Sequence, residues 1–368
     1  MNYVWEQRKL GKVADIGTGK LDANAMNETG EYDFYTSGIQ KYKIDVPAFE
    51  GPAITIAGNG ATVGYMHLAN GKFNAYQRTY VLSAFQANRE FLFYEIGNKL
   101  PKKISQEART GNIPYIVMDM LTDLQLSIPC EQEQRKLGEF MMSLDHLITL
   151  HQHKCDETKK LKKCMLQKMF PKNGKKVPEI RFDGFANDWE QRKLNEVAEF
   201  NPKSDLPESF EYVDLESVVG TEMVSHRTES KETAPSRAQR LAQTGDVFFQ
   251  TVRPYQRNNY LFTKPDNNYV FSTGYAHMRP KIDAEFLMCF LQTDSFVKVV
   301  LDNCTGTSYP AINSNDLSNL EIDLPTSEDE QRRIGCFITN LDHLITLHQH
   351  KCDELQNLKK YMLQNMFV

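Results

Sequence analysis

The sequence predicts an α+β protein in which two α/β domains are separated by two long antiparallel coiled-coil helices, related by a pseudo-twofold internal repeat. Residues 133–170 recur at 330–367 with an offset of 197, and 27 of these 38 positions are identical. A shorter motif, WEQRKL, begins at Trp5 and again at Trp189. The stretches between the repeats are only weakly similar. Near-identical blocks that carry dissimilar inserts indicate one scaffold presenting two different binding modules.

The repeat also sets the predicted domain boundaries. At 368 residues the chain is long enough for two domains that each bury a core. We assign residues 1–132 to the first α/β domain, 133–171 to the first long helix, 172–187 to a linker, 188–329 to the second α/β domain and 330–368 to the second long helix.

The two inserts read as mixed α and β. Four runs are rich in β-branched and aromatic residues and are expected as strands: 53–57, 79–83, 246–252 and 269–272. A helix is predicted over 284–303. Each insert also closes in a similar way, with Thr110-Gly111 before Pro114 in the first and Thr305-Gly306 before Pro310 in the second. This likeness predicts that the two domains share a fold.

Each repeated block reads as one long helix, since it contains no proline and only one glycine, Gly138 or Gly335. Apolar and semi-apolar residues recur with the three-four spacing of a coiled-coil seam. Such a stripe cannot be buried by one helix alone, so the natural partner is the other copy, paired antiparallel. The predicted interface positions are Leu144, Ile148, His151, Cys155, Thr158, Leu161, Met165 and Met169 in the first copy and Leu341, Ile345, His348, Cys352, Leu355, Leu358, Met362 and Met366 in the second.

One doubled pair in this seam could bind metal. His151 and Cys155 lie four residues apart, and His348 with Cys352 repeat the pattern. If the helices cross at their midpoints, the four side chains could form a zinc site. The alternative is a semi-polar layer that sets the register of the helices. We favour the seam layer and predict no metal site.

Composition excludes several classes of protein. The chain is 40% hydrophobic and 25% charged, which is typical of a globular protein. Seven cysteines without framework spacing indicate reduced thiols, and we expect a cytoplasmic protein without signal peptide or membrane span. The formal net charge of −5 does not favour nucleic acid, yet residues 154–176 contain nine lysines. That run is either a solvated helix face with a linker, or the basic part of a subunit that belongs to a larger complex whose other chains supply positive charge.

Motifs for catalysis are absent from the sequence. It contains no phosphate-binding glycine loop, no dinucleotide fingerprint, no H-E-x-x-H and no paired C-x-x-C. Residues 201–204, Asn-Pro-Lys-Ser, begin like an adenine methyltransferase tetrapeptide but lack its second proline and its aromatic residue. We therefore expect a non-catalytic chain.

The ordered set of motifs resembles the specificity subunit of type I restriction-modification systems. The resemblance rests on WEQRKL before each insert, the closing TG-P-DL-IP segments, and EQRKLG or EQRRIG leading into a helix that ends LKK-MLQ-MF. It covers essentially the whole chain. One feature departs from a perfect repeat: Val177-Pro-Glu-Ile-Arg-Phe182 precedes the second copy, whereas only residues 1–4 precede the first.

The resemblance implies sequence-specific binding of double-stranded DNA without chemistry. Each α/β domain would be a target-recognition domain that reads one half of a bipartite, asymmetric site. The paired helices would act as a spacer and as a docking surface for two methyltransferase subunits and, in the full complex, for restriction subunits. S-adenosylmethionine, ATP and Mg would then belong to those partners, and no cofactor to this chain.

Residues that could contact DNA concentrate on predicted loops. Arginine and lysine can pair with guanine, asparagine and glutamine with adenine, and aromatic rings can pack on bases. In the first domain the candidates for bases are Asn59, Asn74, Tyr76, Gln77 and Arg78, and those for phosphates are Lys102, Lys103 and Arg109. In the second domain they are Arg253, Tyr255, Gln256, Arg257, Asn258 and Asn259. The alternative to DNA binding is a coiled-coil scaffold that binds only protein partners.

Overall fold

The computed structural model describes residues 5–107, 114–172, 174–265, 268–306 and 308–367. The chain divides into two compact units, one formed by Met1–Gln152 with His350–Val368 and the other by His153–Gln349. Each unit holds one α/β domain together with part of each long helix.

The described part of the first unit has two four-stranded sheets and a two-stranded ladder, with a main core that includes Leu82, Phe91 and Leu126 and a smaller core that includes Tyr35 and Phe73. The strands are β1 (Glu6–Lys9), β2 (Asp15–Thr18), β3 (Tyr32–Tyr35), β4 (Lys41–Ile44), β5 (Phe49–Glu50), β6 (Ala53–Ala57), β7 (Met66–Ala69), β8 (Lys72–Ala75), β9 (Thr79–Ser83) and β10 (Gln125–Ile128). The helices are α1 (Arg89–Glu107), α2 (Met118–Thr122) and the long α3 (Glu131–Lys168), which continues into the second unit.

The second unit repeats this plan around a core that includes Phe249, Phe286 and Ile322. Its strands are β11 (Glu190–Lys193), β12 (Ala198–Phe200), β13 (Ser209–Val213), β14 (Val218–Val219), β15 (Glu222–Met223), β16 (Arg227–Ser230), β17 (Ala238–Leu241), β18 (Val247–Gln250), β19 (Tyr260–Leu261), β20 (Tyr269–Ser272), β21 (Tyr275–Pro280) and β22 (Glu321–Leu324). Its helices are α4 (Leu194–Val197), α5 (Ala284–Leu291), α6 (Asp294–Asp302), α7 (Ser314–Ser318) and the long α8 (Glu328–Met366).

Sheet order shows that the two domains share one fold. The order β2-β9-β6-β7 corresponds to β12-β21-β18-β19, and β4-β3-β8-β5 corresponds to β16-β13-β20-β17. In each second sheet one pair is parallel, β3 with β8 and β13 with β20. The predicted fold class, with two α/β domains and two long helices, is thus confirmed. The single helix predicted over 284–303 is wrong, because the Thr293 hydroxyl accepts from the Phe296 N–H and starts α6 as a new helix.

The two copies of WEQRKL form the same ladder in each unit. Strand β1 pairs antiparallel with β10, and β11 pairs in the same way with β22. A buried glutamine at the start of each long helix ties that ladder to the domain. Gln134 accepts from the Asn88 N–H and donates to the Pro129 carbonyl, each at 2.8 Å. Gln331 bonds in the same way to Asp283 and Pro325. We call this arrangement the repeated frame.

The one glycine in each long helix lies where another helix begins. A Cβ on Gly138 would stand 2.9 Å from the Phe91 nitrogen at the start of α1. A Cβ on Gly335 would stand 2.7 Å from the Phe286 nitrogen at the start of α5. Backbone at that distance cannot yield cheaply, so the absence of a side chain lets the helices meet.

Within each unit the long helices run antiparallel and share an equivalent ion pair. In the first unit Lys359 on α8 reaches Asp145 on α3, and in the second unit Lys162 on α3 reaches Asp342 on α8. The predicted interface positions Leu161 and Leu358 are wrong, since these side chains are 43% and 37% exposed. The lysine one residue further along each helix takes the position facing the partner instead.

Most of the other predicted seam residues are buried or half-buried, among them Leu144, Cys155 and Leu341. The Cys155 thiol lies 3.8 Å from the Ile345 carbonyl and 3.7 Å from Gln349 Oε1, and its single S–H points to these two acceptors. Cys352 makes the equivalent contacts in the first unit. The contacts of Cys155 and Cys352 with the opposite helix place both thiols in the seam. Among the described residues there is no group of three or more His, Cys, Asp or Glu side chains that could hold a metal ion.

None of the described helices is both long enough and apolar enough to cross a membrane.

Candidate nucleic-acid interface

Each domain presents an equivalent loop after an equivalent strand, β6 in the first and β18 in the second. The loop after β6 is held by the closing segment of its domain, because Gly60 donates to the Pro114 carbonyl at 3.1 Å. In the second domain Arg253 donates to the Pro310 carbonyl at 2.8 Å. Both positions have positive φ, 90° at Gly60 and 53° at Arg253. The closing prolines therefore position these two loops, which carry predicted DNA contacts.

In the first domain the structure brings several predicted residues together. Asn59 forms an isolated bridge with Tyr115 and accepts a hydrogen bond from Ser37 Oγ at 2.6 Å. The turn that contains Tyr76, Gln77 and Arg78 lies beside it, since the Arg78 carbonyl accepts from the Gly58 N–H. The side chains of Gln77 and Arg78 are exposed. An amide, a guanidinium and aromatic rings thus share one edge of this domain.

Of the other predictions for this domain, the structure contradicts one and leaves the rest as predictions. Asn74 as a base contact is wrong: it is 3% exposed, and it donates to the Val46 carbonyl while its Oδ1 accepts from the Ala75 N–H. Lys102 and Lys103 lie on α1, where Lys102 is exposed and Lys103 pairs with Glu107 at 2.5 Å. Arg109 lies outside the described residues.

In the second domain the predicted cluster forms a tight loop around the short helical turn Pro254–Gln256. Arginines with positive φ flank this turn, Arg253 at 53° and Arg257 at 56°. Residues other than glycine rarely adopt a positive φ, and where they do, the backbone strain is often associated with function. The Arg253 guanidinium lies 4.7 Å from the ring centre of Tyr309, and Tyr255 is 50% exposed. A cation and two aromatic rings are therefore displayed together.

Arg257 has a structural role in the same loop. Its guanidinium donates to the Gln292 carbonyl at 2.9 Å and to Asp294 Oδ1 at 2.5 Å, at the start of α6. The hydrogen bond from Arg257 holds the pKa of the Asp294 carboxyl below its usual range. These contacts leave Arg257 as an anchor of the loop, with about a third of its side chain exposed.

The remaining polar residues of the loop differ in access. Gln256 is exposed and accepts from Gln250 Nε2 at 3.0 Å, and Asn258 accepts from the Gly220 N–H at 2.8 Å. Asn259 as a base contact is wrong, because it is 1% exposed and its Oδ1 accepts from the Gln250 N–H. It supports the backbone at the end of β18.

A buried charged cluster supports the base of that strand. Asp246 accepts from His277 at 2.7 Å and from both arms of Arg279 at 2.9 and 3.0 Å. Burial alone would raise the pKa of Asp246, but the hydrogen bonds from His277 and Arg279 outweigh it and keep that pKa low. The His277 ring also stacks on Phe248, 4.7 Å between centres. The cluster fixes β18 and hence the loop that follows it.

The structure adds two residues that the sequence predictions missed, Tyr115 and Tyr309. They are 40% and 65% exposed and sit on the closing segments beside Pro114 and Pro310. Their adjacency to those prolines was the only signal in the sequence. Exposed aromatic rings next to arginine and amide side chains suit base edges and sugars. The arrangement offers hydrogen bonding, stacking and positive charge.

Comparison with known proteins gives one consistent result. The family model described as "Type I restriction modification DNA specificity domain" matches residues 2–160 and again 186–357. The chain is 25% identical to the type I restriction enzyme EcoDI specificity subunit of Escherichia coli, over 99% of this chain and 88% of that protein. It is 24% identical to the MjaVIII specificity subunit of Methanocaldococcus jannaschii, over 74% of this chain and 68% of that protein.

Among solved structures, the S subunit of a type I restriction-modification system from M. genitalium has the same fold. Its TM-score is 0.73 at 16% identity, with 100% of this chain and 97% of that chain covered. The family match extends over both domains and the start of both long helices. The chain therefore belongs to the family of type I restriction-modification DNA specificity domains.

Proposed function

We propose that this chain is the DNA-binding specificity subunit of a type I restriction-modification complex and that each domain reads one half of a bipartite, asymmetric site. The observation that carries the proposal is the repeated frame. In each unit a strand ladder, a buried glutamine and a close glycine contact hold one domain in the same way. The two domains share one fold, but their exposed loops differ in sequence. Two domains with different exposed loops, each held by the same frame, suit two different half-sites.

The proposed reading loops are those after β6 and β18. We assign direct contacts with bases or sugars to Asn59, Gln77 and Arg78 in the first domain, and to Arg253 and Gln256 in the second. Tyr76, Tyr115, Tyr255, Asn258 and Tyr309 complete these surfaces. Lys102 and Lys103 are assigned to phosphates, which position a protein on the duplex without reading sequence.

The helices are proposed to space the half-sites and to dock two methyltransferase subunits, with restriction subunits in the full complex. Support for docking comes from doubled exposed leucines. Leu147 and its repeat equivalent Leu344 are 39% and 42% exposed, and Leu150 and Leu347 are 38% and 53% exposed. Large apolar side chains exposed at the same repeat positions in both units suit two copies of one partner.

We also propose that this chain catalyses nothing itself. S-adenosylmethionine, ATP and Mg would be bound by the partner subunits, and the assembled complex would work in the cytoplasm. The absence of methyltransferase, nuclease and ATPase motifs from the sequence supports this division.

The test is to sequence the methylome of cells that express this chain with its cognate methyltransferase subunit. We expect methylation at one bipartite motif, absent when either chain is omitted. A protein-only scaffold would leave the methylome unchanged, and the purified complex would then shift neither random nor genomic duplexes in a gel.

A further inference from the structure

The second domain has an open cleft that contains none of the residues proposed to read bases. The cleft has a volume of about 570 Å³ and is lined by residues 201–206, together with Gln239 and Arg240 of β17. Residues 201–204 are the Asn-Pro-Lys-Ser segment that only partly matches a methyltransferase tetrapeptide. This segment takes no part in the proposed reading of bases.

Arg240 brings an unsatisfied charged donor to the cleft. Its side chain is half-buried, and among the described residues its Nε has no hydrogen-bond partner and its guanidinium no ion pair. Burial lowers the pKa of Arg240, whereas hydrogen bonds to Asp246 raise the pKa of Arg279. Lys203 adds a second cation and Asp205 one carboxylate, so the net charge of the lining is positive. A buried charged donor costs free energy until an acceptor pairs with it, which points to an anionic ligand.

The segment after β12 is fixed at its first two residues and exposed at the next three. Asn201 has a positive φ of 48°, its N–H donates to the His277 carbonyl at 2.7 Å, and its Oδ1 accepts from the His277 N–H at 3.1 Å. Pro202 is buried, whereas residues 203–205 are exposed. The backbone is thus held against β21 while the polar side chains remain accessible to a ligand.

The cleft lies at the same end of its sheet as the reading loop after β18. Strands β12 and β18 both pair antiparallel with β21. Two strands that are antiparallel to a third run in the same direction, so the loops that follow β12 and β18 leave the sheet at one end. In the first domain the equivalent loop touches the reading turn, since the Leu21 carbonyl accepts from the Gln77 N–H at 2.8 Å.

We propose that this cleft is a phosphate-binding site, in which Arg240 and Lys203 hold one phosphodiester of the DNA backbone while the neighbouring loop reads bases. A phosphate presents several oxygen acceptors, and the planar fork of an arginine matches their geometry. Such a contact fixes the position of the protein on the duplex without reading sequence. The site rests on the proposed DNA-binding function, and it gives the second domain the phosphate contact that is assigned to Lys102 and Lys103 in the first.

The test is to titrate two duplexes with the complex of this chain and its methyltransferase, followed by fluorescence anisotropy between about 50 and 200 mM salt. One duplex carries the methylated motif, and in the other the second half of the motif is scrambled. Arg240→Met should weaken binding to both duplexes by about tenfold, because a hydrogen bond between charged groups is lost. The slope of log affinity against log salt should fall by about 0.9 for the one phosphate released.

Two further variants accompany Arg240→Met. Lys203→Gln should weaken binding to both duplexes in the same direction. Lys281→Gln is the matched control, because it removes one exposed charge just beyond Pro280, at the opposite end of β21, and it should bind as the parent does.

A second pair of measurements separates binding from stability. Because the Arg240 Nε is buried without an acceptor, Arg240→Met should keep or raise the unfolding temperature, whereas loss of a purely structural arginine would lower it. Duplexes with single neutral methylphosphonates should reveal one phosphate whose neutralisation weakens the parent but leaves Arg240→Met unaffected.

The proposal and the function on which it rests fail in different ways. Unchanged affinity and salt slope for Arg240→Met, with a parent complex that binds its motif, would overturn the phosphate site alone. A loss confined to the duplex with the intact motif would also overturn it, since that result indicates a base contact. If the parent complex binds neither duplex, the DNA-binding function itself fails, and the site with it.

Discussion

Glu95 of α1 provides a pH-dependent test of how the first domain is joined to its ladder. Its carboxyl is fully buried, Oε1 accepts from the Ser127 N–H of β10 at 2.8 Å, and Oε2 has no hydrogen-bond partner among the described residues. Burial raises the pKa of Glu95 from 4.5 to about 7, against the lowering effects of the Ser127 hydrogen bond and of Lys99. The equivalent position in the second unit is Phe290, which cannot ionise.

The sign of the effect follows from proton binding. Between pH 4.5 and about 7 the folded chain keeps the Glu95 proton while the unfolded chain loses it, so the free energy of unfolding falls as pH rises through that window. Each pKa unit corresponds to about 1.4 kcal/mol, and the whole window therefore to about 3 kcal/mol. Glu95→Gln removes the ionisation and should remove this loss, while its amide oxygen can still accept from Ser127.

The measurement is thermal unfolding of the parent and Glu95→Gln proteins from pH 5 to pH 8, followed by circular dichroism. We expect similar unfolding temperatures near pH 5 and a gap that widens to several degrees by pH 8, with the variant higher. The exposed Glu139→Gln serves as control and should follow the parent. Parallel curves for the parent and Glu95→Gln at all pH values would refute the reasoning.

Three further predictions concern the frame, the reading loop and the spacer. Gly335→Ala should destabilise the protein by about 1–3 kcal/mol in denaturant unfolding, since the new Cβ would lie 2.7 Å from the backbone of α5. Gly17→Ala is the control: its Cβ would meet nothing within 4 Å, so stability should change little. Arg253→Ala should weaken DNA binding of the complex by about 10- to 100-fold in a gel shift without lowering the unfolding temperature. Arg257→Ala should instead lower the unfolding temperature, because the ion pair between Arg257 and Asp294 of α6 is lost. A four-residue insertion after Thr158 adds roughly 6 Å of helix and should lengthen the spacer of the methylated motif by about one or two base pairs. An assembled, active mutant with an unchanged spacer would contradict the proposal that the helices space the half-sites.

The repeat made the frame predictable, because identical residues in two places must serve a purpose common to both domains. The long helices were open to inference from local spacing, and both begin and end within three residues of their predicted bounds. The function of the single glycine was not, since it depends on the start of α1 or α5 arriving from far along the chain.

The candidate site was less predictable, because exposure is decided by tertiary packing. Asn74 and Asn259 are of a residue type that can contact bases, yet each is buried and forms hydrogen bonds with nearby backbone. The prediction of the seam positions was wrong at Leu161 for a related reason. Leu161 continues the apolar spacing, but it is 43% exposed, and the neighbouring lysine is the residue that reaches an aspartate across the helix pair.

Replacement of one domain tests the central claim most directly. Exchange of residues 12–124 for the corresponding residues of another member of the family leaves the β1–β10 ladder and the long helices intact. Methylome sequencing of cells that express the chimaera with the cognate methyltransferase should show one half of the bipartite motif changed and the other half retained. If both halves change together in an assembled, active complex, the two domains do not read independent half-sites, and the account is contradicted.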